Sequence, residues 1–177
     1  MWRQNRHRWV VSGLSATELA AKLDTAMSAA PTRPISGKPP RVAVIFTGQG
    51  SEYVGMAGGL YASSPTFRAA IGDYSAMLSA FPEWNMADLE TLLFSKDAES
   101  KAELALALTK PSFTQPALVA LALALYKVFT VDYAVVPTVV FCHSLNEISA
   151  CCVAGLISVE HALHLALVRV RHEGLEP

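Results

Sequence analysis

The chemistry in this sequence concentrates in the run Phe141-Cys142-His143-Ser144-Leu145-Asn146-Glu147. An apolar, β-branched stretch, Val135 to Phe141, leads into it, and a helical pattern, Leu145 to Val153, leads out. A serine on such a strand-to-helix turn is pushed clear of the sheet, with its hydroxyl near the positive end of the next helix. Ser144 is therefore a candidate nucleophile, and the N–H of Leu145 is placed to bind an oxyanion. The usual elbow carries glycine two residues before and after the serine. Here those positions hold Cys142 and Asn146, so a plain helix-capping serine stays open as the competing reading.

The other candidates divide into those worth keeping and those explained by structure. Thr47-Gly48-Gln49-Gly50-Ser51 follows a second apolar run, Arg41 to Phe46. It is no dinucleotide fingerprint, because Tyr53 stands where the third glycine belongs, and no Walker-type lysine follows. On the last helix Val159, Ala162, Leu163, Ala166 and Val170 form one stripe. Arg169 falls at its border and can reach inward, whereas Arg171 falls on the polar side. His161, His164 and His172 share that helix with no cysteine near in sequence, so they read as surface residues, and no metal site is expected. Glu147 is accounted for by the helix macrodipole.

These groups need elements to hold them. A helix is expected over Thr17–Met27, then a proline-rich linker over Ala30–Pro40 with a boundary near Lys38. Arg41–Phe46 and Val135–Phe141 read as strands buried on both faces. Ser64-Pro65 starts a helix that runs to Leu78, and Thr114-Gln115-Pro116 opens one that is apolar almost all round. Gly58-Gly59 marks the end of a short helix. Short helices fill Pro82–Ala107, and Ser158 caps a last helix to about Arg171. Strands that alternate with long helices predict an α/β class with a mainly parallel sheet.

Composition bounds the function. Of 177 residues, 52% are hydrophobic and 16% charged, with a net charge of -1. That balance excludes a disordered chain and a nucleic-acid binder, which needs a basic surface. Met1 to Val11 is basic but has no apolar run after it, so it is not a secretory signal. Lys127, Asp132 and Pro137 interrupt the apolar stretch Ala117–Phe141, so no membrane span is expected. Three cysteines, two of them adjacent, do not make a disulfide framework. A reducing, cytoplasmic setting follows.

Taken together, Phe46-Thr47-Gly48-Gln49-Gly50-Ser51, Ser64-Pro65, Thr114-Gln115-Pro116-Ala117-Leu118, His143-Ser144-Leu145, Glu147 and Val153-Ala154-Gly155 resemble the acyltransferase domains of fatty-acid and polyketide synthases, the malonyl-CoA:acyl-carrier-protein transacylases. The resemblance runs from about Arg41 to His172. It implies part of an α/β-hydrolase-like acyltransferase fold, without the family's ferredoxin-like subdomain. Residues 1–38 then correspond to the preceding linker and 39–177 to the N-terminal half of the domain. By the same resemblance, Ser144 takes the acyl group from coenzyme A and passes it to a carrier-protein thiol on a phosphopantetheine arm. Gln49 pairs with the Leu145 amide in the oxyanion hole. His143 shapes the pocket, and Arg169 grips the free carboxylate of a malonyl group. The implied substrate is malonyl-CoA with no bound cofactor. The implied partners are an acyl-carrier protein domain and a neighbouring ketosynthase domain, with neither nucleic acid nor membrane.

Three departures from the family pattern lead to expectations of their own. The family's general base is a histidine far downstream, and no histidine here matches it. Cys142 and Asn146 are expected to crowd the turn, with Asn146 near the substrate entrance. Glu52 brings negative charge close to the oxyanion loop. Alone, the chain is accordingly expected to be inactive, as a truncated domain or a non-catalytic remnant. A stand-alone serine esterase would need an acid and then a histidine after Ser144, and only Glu147, Glu160, Glu173 and Glu176 are there as acids.

Overall fold

Short-range sequence rules fix most of the helix ends. Ser15 caps α1 (Ala16–Ser28) by accepting from the Glu18 N–H at 3.2 Å, and Glu18 in turn accepts from the Leu14 N–H at 2.8 Å. The computed structural model describes residues 9–29, 41–50, 52–84, 88–94 and 96–172. The chain divides into two compact units, Met1–Arg41 and Val42–Pro177, and α1 belongs to the first. The expected linker, residues 30–40, lies outside the described residues.

The second unit begins with β1 (Val42–Ile45), followed by α2 (Gly58–Ser63), α3 (Pro65–Ser79), α4 (Leu89–Phe94) and α5 (Ala98–Ala107). Then come α6 (Pro111–Val131), β2 (Pro137–Phe141), a 3-10 turn (Ser144–Asn146), α7 (Glu147–Val153) and α8 (Val159–His172). Ser64 accepts from the Phe67 N–H at 3.1 Å, with Pro65 in the first helical position. Asp97 and Ser158 cap α5 and α8 through the N–H groups of Ser100 and His161. Gly155 closes α7 at φ +77. Its N–H donates to the Cys152 carbonyl and that of Leu156 to the Cys151 carbonyl, the pattern of a Schellman motif.

Two helix boundaries differ from expectation. Gly58-Gly59 begins α2 instead of ending a helix, because Gly55 and Ala57, both at positive φ, turn the chain into it. Helix α6 starts at Pro111, not Thr114, with Lys110 extended before it, so Pro116 lies inside the helix. The Lys110-Pro111 pair is itself a start signal. Thr114 has another job: it is buried and donates its hydroxyl to the Leu108 carbonyl at 2.8 Å, tying the preceding turn to the helix.

The core sits around α6. Phe113, Ala117, Ala120, Leu121, Ala124 and Val128 are all buried there along one face of the helix, while Leu125 and Phe129 are exposed. Helix α3 meets it with Phe67, Ala70, Ile71, Tyr74 and Leu78, spaced as one helical face. Helix α8 brings Ala162, Leu163, Ala166, Leu167 and Val170, so the expected stripe is seen and Leu167 joins it. Two buried alanines on α8 and three on α6 are small enough for the helix backbones to approach closely. By length and composition α6 could cross a membrane, but 56% of its most apolar window is buried inside this protein. Asp132 at the end of α6 accepts from the hydroxyls of Thr66 at 2.5 Å and Ser64 at 3.3 Å, which sets a carboxylate against the start of α3.

Strands β1 and β2 pair in parallel, with Ala43, Val44 and Ile45 opposite Val139, Val140 and Phe141. They were expected to be buried on both faces; instead Ile45 is 69% and Phe141 55% exposed. The described elements supply no further layer to cover these side chains.

Phe67 is fully buried and meets Phe94 edge-on at 6.3 Å. Phe67→Ala should destabilise the second unit by about 3–5 kcal/mol, measured as a lower urea midpoint at unchanged slope.

Candidate functional site

Parallel pairing puts the carboxyl ends of β1 and β2 side by side, and each leads into one of the segments singled out above. The Phe46 N–H still donates to the Phe141 carbonyl at 3.0 Å. Beyond this bond the chain after β1 becomes Thr47-Gly48-Gln49-Gly50, and the chain after β2 becomes Cys142-His143-Ser144. His143 is extended at φ -148, and Ser144 then switches to φ +54. A left-handed conformation at a residue with a Cβ costs on the order of 1–2 kcal/mol and must be held by its surroundings. The next residues do the holding. Leu145 is 1% exposed within the core, and Asn146 and Ser149 are buried beneath the turn. Ser144 itself is exposed, as expected of a serine carried on an elbow.

Asn146 behaves differently from expectation. Its side chain points into the turn and is 4% exposed. Its Nδ2 donates to the Thr47 carbonyl, and its Oδ1 accepts from Ser149 Oγ at 2.6 Å. Inside the turn a carboxamide finds a donor and an acceptor that a glycine would leave unpaired. Sequence reasoning missed this pairing. The one available signal was the i, i+3 spacing of Asn146 and Ser149 at a helix start.

The loop after β1 lies close to the elbow. A Cβ on Gly48 would stand 3.9 Å from the His143 carbonyl oxygen. Gln49 is exposed, as is His143. Gly50 takes φ +112, a conformation strained for any residue with a side chain. Its N–H donates to Glu52 Oε2 at 2.7 Å. The carboxylate of Glu52 is thus engaged by its own loop, which tempers the charge that the sequence led one to expect beside the oxyanion donors.

Arg169 is half-buried near the end of α8, between the buried Leu167 and Val170, at the stripe border where helical spacing put it. His161 Nδ1 lies 3.0 Å from Ser158 Oγ, and His164 stacks on Phe81 at 4.6 Å with Glu83 at 4.0 Å. Both are engaged on α8. Burial pushes the Cys152 thiol up, which disfavours its thiolate. Among the described residues no group of three or more His, Cys, Asp or Glu could hold a metal ion.

The structure thus sets an exposed serine at a left-handed turn, at the carboxyl end of a parallel strand and beside a glutamine loop from the neighbouring strand, in an α/β protein. The acyl transferase domain family matches residues 43–173, and the chain belongs to that family. It is 36% identical over 171 residues to polyketide synthase GfsE of Streptomyces halstedii, covering 93% of this chain and 4% of that synthase. The acyltransferase domain from the second module of the salinomycin polyketide synthase superimposes with a TM-score of 0.73 at 32% identity, covering 96% of this chain and 38% of that one. A malonyl-transacylase solved in complex with its type II polyketide acyl-carrier protein, PlMCAT:AntF, aligns at a TM-score of 0.61 and 30% identity, over 75% of this chain and 38% of that one. The chain thus spans a small part of the synthase it matches and about two fifths of the solved chains.

Gly50→Ala meets no atom within 4 Å, so any effect comes from its backbone angle alone. It should cost about 1–2 kcal/mol by thermal unfolding and shift the Gln49 and Glu52 amide resonances while leaving α8 unchanged.

Proposed function

We propose that this chain supplies the nucleophile and the oxyanion donors of a domain that transfers a malonyl-type acyl group from coenzyme A to an acyl-carrier protein in polyketide or fatty-acid biosynthesis. The observation that carries this reading is the elbow: Ser144 is exposed at φ +54 at the end of β2, with the Gln49 loop tied beside it. In the reaction Ser144 Oγ attacks the thioester carbonyl while its proton passes to a general base. The carbonyl electrons move onto oxygen, and the oxyanion is met by the Leu145 N–H together with Gln49. Collapse breaks the carbon–sulfur bond, and coenzyme A leaves as a thiol with the proton from the base. The phosphopantetheine thiol of the carrier protein then attacks the acyl-Ser144 ester, its proton passes through the base to Ser144 Oγ, and the acyl group leaves on sulfur. No cofactor takes part.

Arg169 is assigned to the free carboxylate of the malonyl group, where a planar guanidinium can bind both oxygens. His143 is assigned to the pocket wall. His161 and His164 are engaged on α8, so the base is assigned to a histidine elsewhere in a longer synthase. Support for a carrier-protein partner comes from the related transacylase solved with its own carrier protein. Residues 1–38 are assigned to the linker before the domain, with a ketosynthase as neighbour. Coenzyme A thioesters and free cysteines both suit a cytoplasmic setting.

A second reading, a non-catalytic portion of such a domain, draws on the exposed site. Ile45 and Phe141 at the strand ends are largely uncovered. In water the hydrogen bonds of an oxyanion hole lose most of their strength.

Incubation with malonyl-CoA, read by intact-mass spectrometry, should add one malonyl group to the wild type and none to Ser144→Ala. A folded wild type that stays unlabelled favours the non-catalytic reading. In a domain that turns over, Arg169→Ala should slow malonyl loading on the order of 10- to 100-fold more than acetyl loading. Equal losses on both substrates would remove Arg169 from the carboxylate site.

A further inference from the structure

The two oxyanion donors assigned above lie on separate stretches of chain, both past the last strand-to-strand hydrogen bond. Gln49 follows β1 and Leu145 follows β2, and the ladder between those strands ends with the Phe46 N–H on the Phe141 carbonyl. A hydrogen-bonded sheet therefore does not set the gap between the donors. One side chain crosses it. Asn146, next to Leu145 in sequence, donates from Nδ2 to the carbonyl of Thr47, a residue 99 positions earlier and two before Gln49.

The carboxamide is fixed at its other end as well. Oδ1 accepts from Ser149 Oγ at 2.6 Å, and Ser149 is fully buried in the first turns of α7. This second bond sets which way the amide faces, because only Nδ2 can donate to a carbonyl. With Asn146 4% exposed, water does not compete freely for either bond. Gly48 adds a close backbone approach to His143 but no polar tie.

We propose that Asn146 is a positioning residue: its carboxamide locks the Gln49 loop against the Leu145 amide and so fixes the width of the oxyanion hole. The link to catalysis rests on the acyl-transfer reading above, while the locking is a property of the fold. Oxyanion donors must sit about 2.7–3.1 Å from the developing charge, so a loosened loop lowers the rate of acylation more than the binding of substrate. Asn146 thus takes over, by a hydrogen bond, a position that a flexible glycine would leave without a side chain.

The test uses the full chain and three variants. Asn146→Asp keeps the acceptor for Ser149 and loses the donor to Thr47; Asn146→Ala loses both bonds; Ser149→Ala loses only the support. In amide NMR spectra, Asn146→Asp and Asn146→Ala should shift Gly48 and Gln49, distant in sequence, and speed their hydrogen exchange, while α3 and α8 stay as in the wild type. The Asn146 side-chain amide protons of the wild type should exchange slowly. Acylation of Ser144 by malonyl-CoA should slow on the order of 10- to 100-fold in both Asn146 variants, with half-saturation changed by less than twofold. Unchanged Gly48 and Gln49 resonances in Asn146→Asp overturn the lock. An acylation rate that stays at the wild-type value despite shifted resonances overturns its catalytic consequence. Absence of acylation in the wild type favours the non-catalytic reading of this chain and overturns the catalytic consequence in it, and the resonances still decide the lock.

Discussion

Parallel pairing of β1 with β2 obliges the chain to leave the sheet and come back to the same end before the second strand can begin. The return takes α2 to α6, and those helices, with α7 and α8, are also the core. Connection and core are therefore one object. The apolar sequence of α6 lets it serve both purposes, since it packs against α3, α7 and α8 while Leu125 and Phe129 stay exposed toward β1. The same pairing sets Ile45 opposite Phe141, so two loops far apart in sequence start from neighbouring points.

The elbow shows how a strained conformation is held. Ser144 stands at positive φ without glycine's freedom, and the residues after it are sunk into the protein. Burial of the Leu145 side chain contributes about 1.5–3 kcal/mol, enough to offset the strain at Ser144. Asn146 and Ser149 satisfy one another beneath the turn, so the polar groups that enter the interior are not left unpaired. The outcome is asymmetric: the inner side of the turn is packed and hydrogen-bonded, and the outer side presents a hydroxyl to solvent.

The strands have a different status. Their sequence is apolar and β-branched, as for the centre of a sheet with layers on both sides, yet Ile45, Val139 and Phe141 are exposed at 69%, 39% and 55%. An apolar cleft of about 300 Å³ opens between β1 and α6, lined by Val44, Phe46, Leu121, Leu125 and Phe129, with Thr47 and Asn146 at its edge. Uncovered apolar surface of this kind marks a contact site for protein, membrane or ligand, or an aggregation liability. Aligned over nearly its whole length, the chain matches 38% of the salinomycin acyltransferase chain.

The sequence by itself determined the parts that depend on neighbours along the chain. Ser64-Pro65, Ser15 with Glu18, Ser158 and Gly155 set helix ends because caps act over three or four residues. The stripe on α8 gave the position of Arg169 because helical spacing is a local property. The α/β class and the serine at a strand-to-helix turn were legible in the same way. Burial of the strands was not, since it depends on which layers are present. The start of α6 was misjudged because Thr114-Gln115-Pro116 looks like a start signal while Lys110-Pro111 provides the working one. Only the tertiary structure decided the role of Asn146. Whether a polar side chain obstructs a turn or ties it together depends on what lies beneath it, and here that is a carbonyl 99 residues away, brought within hydrogen-bond reach by the parallel pairing of two strands.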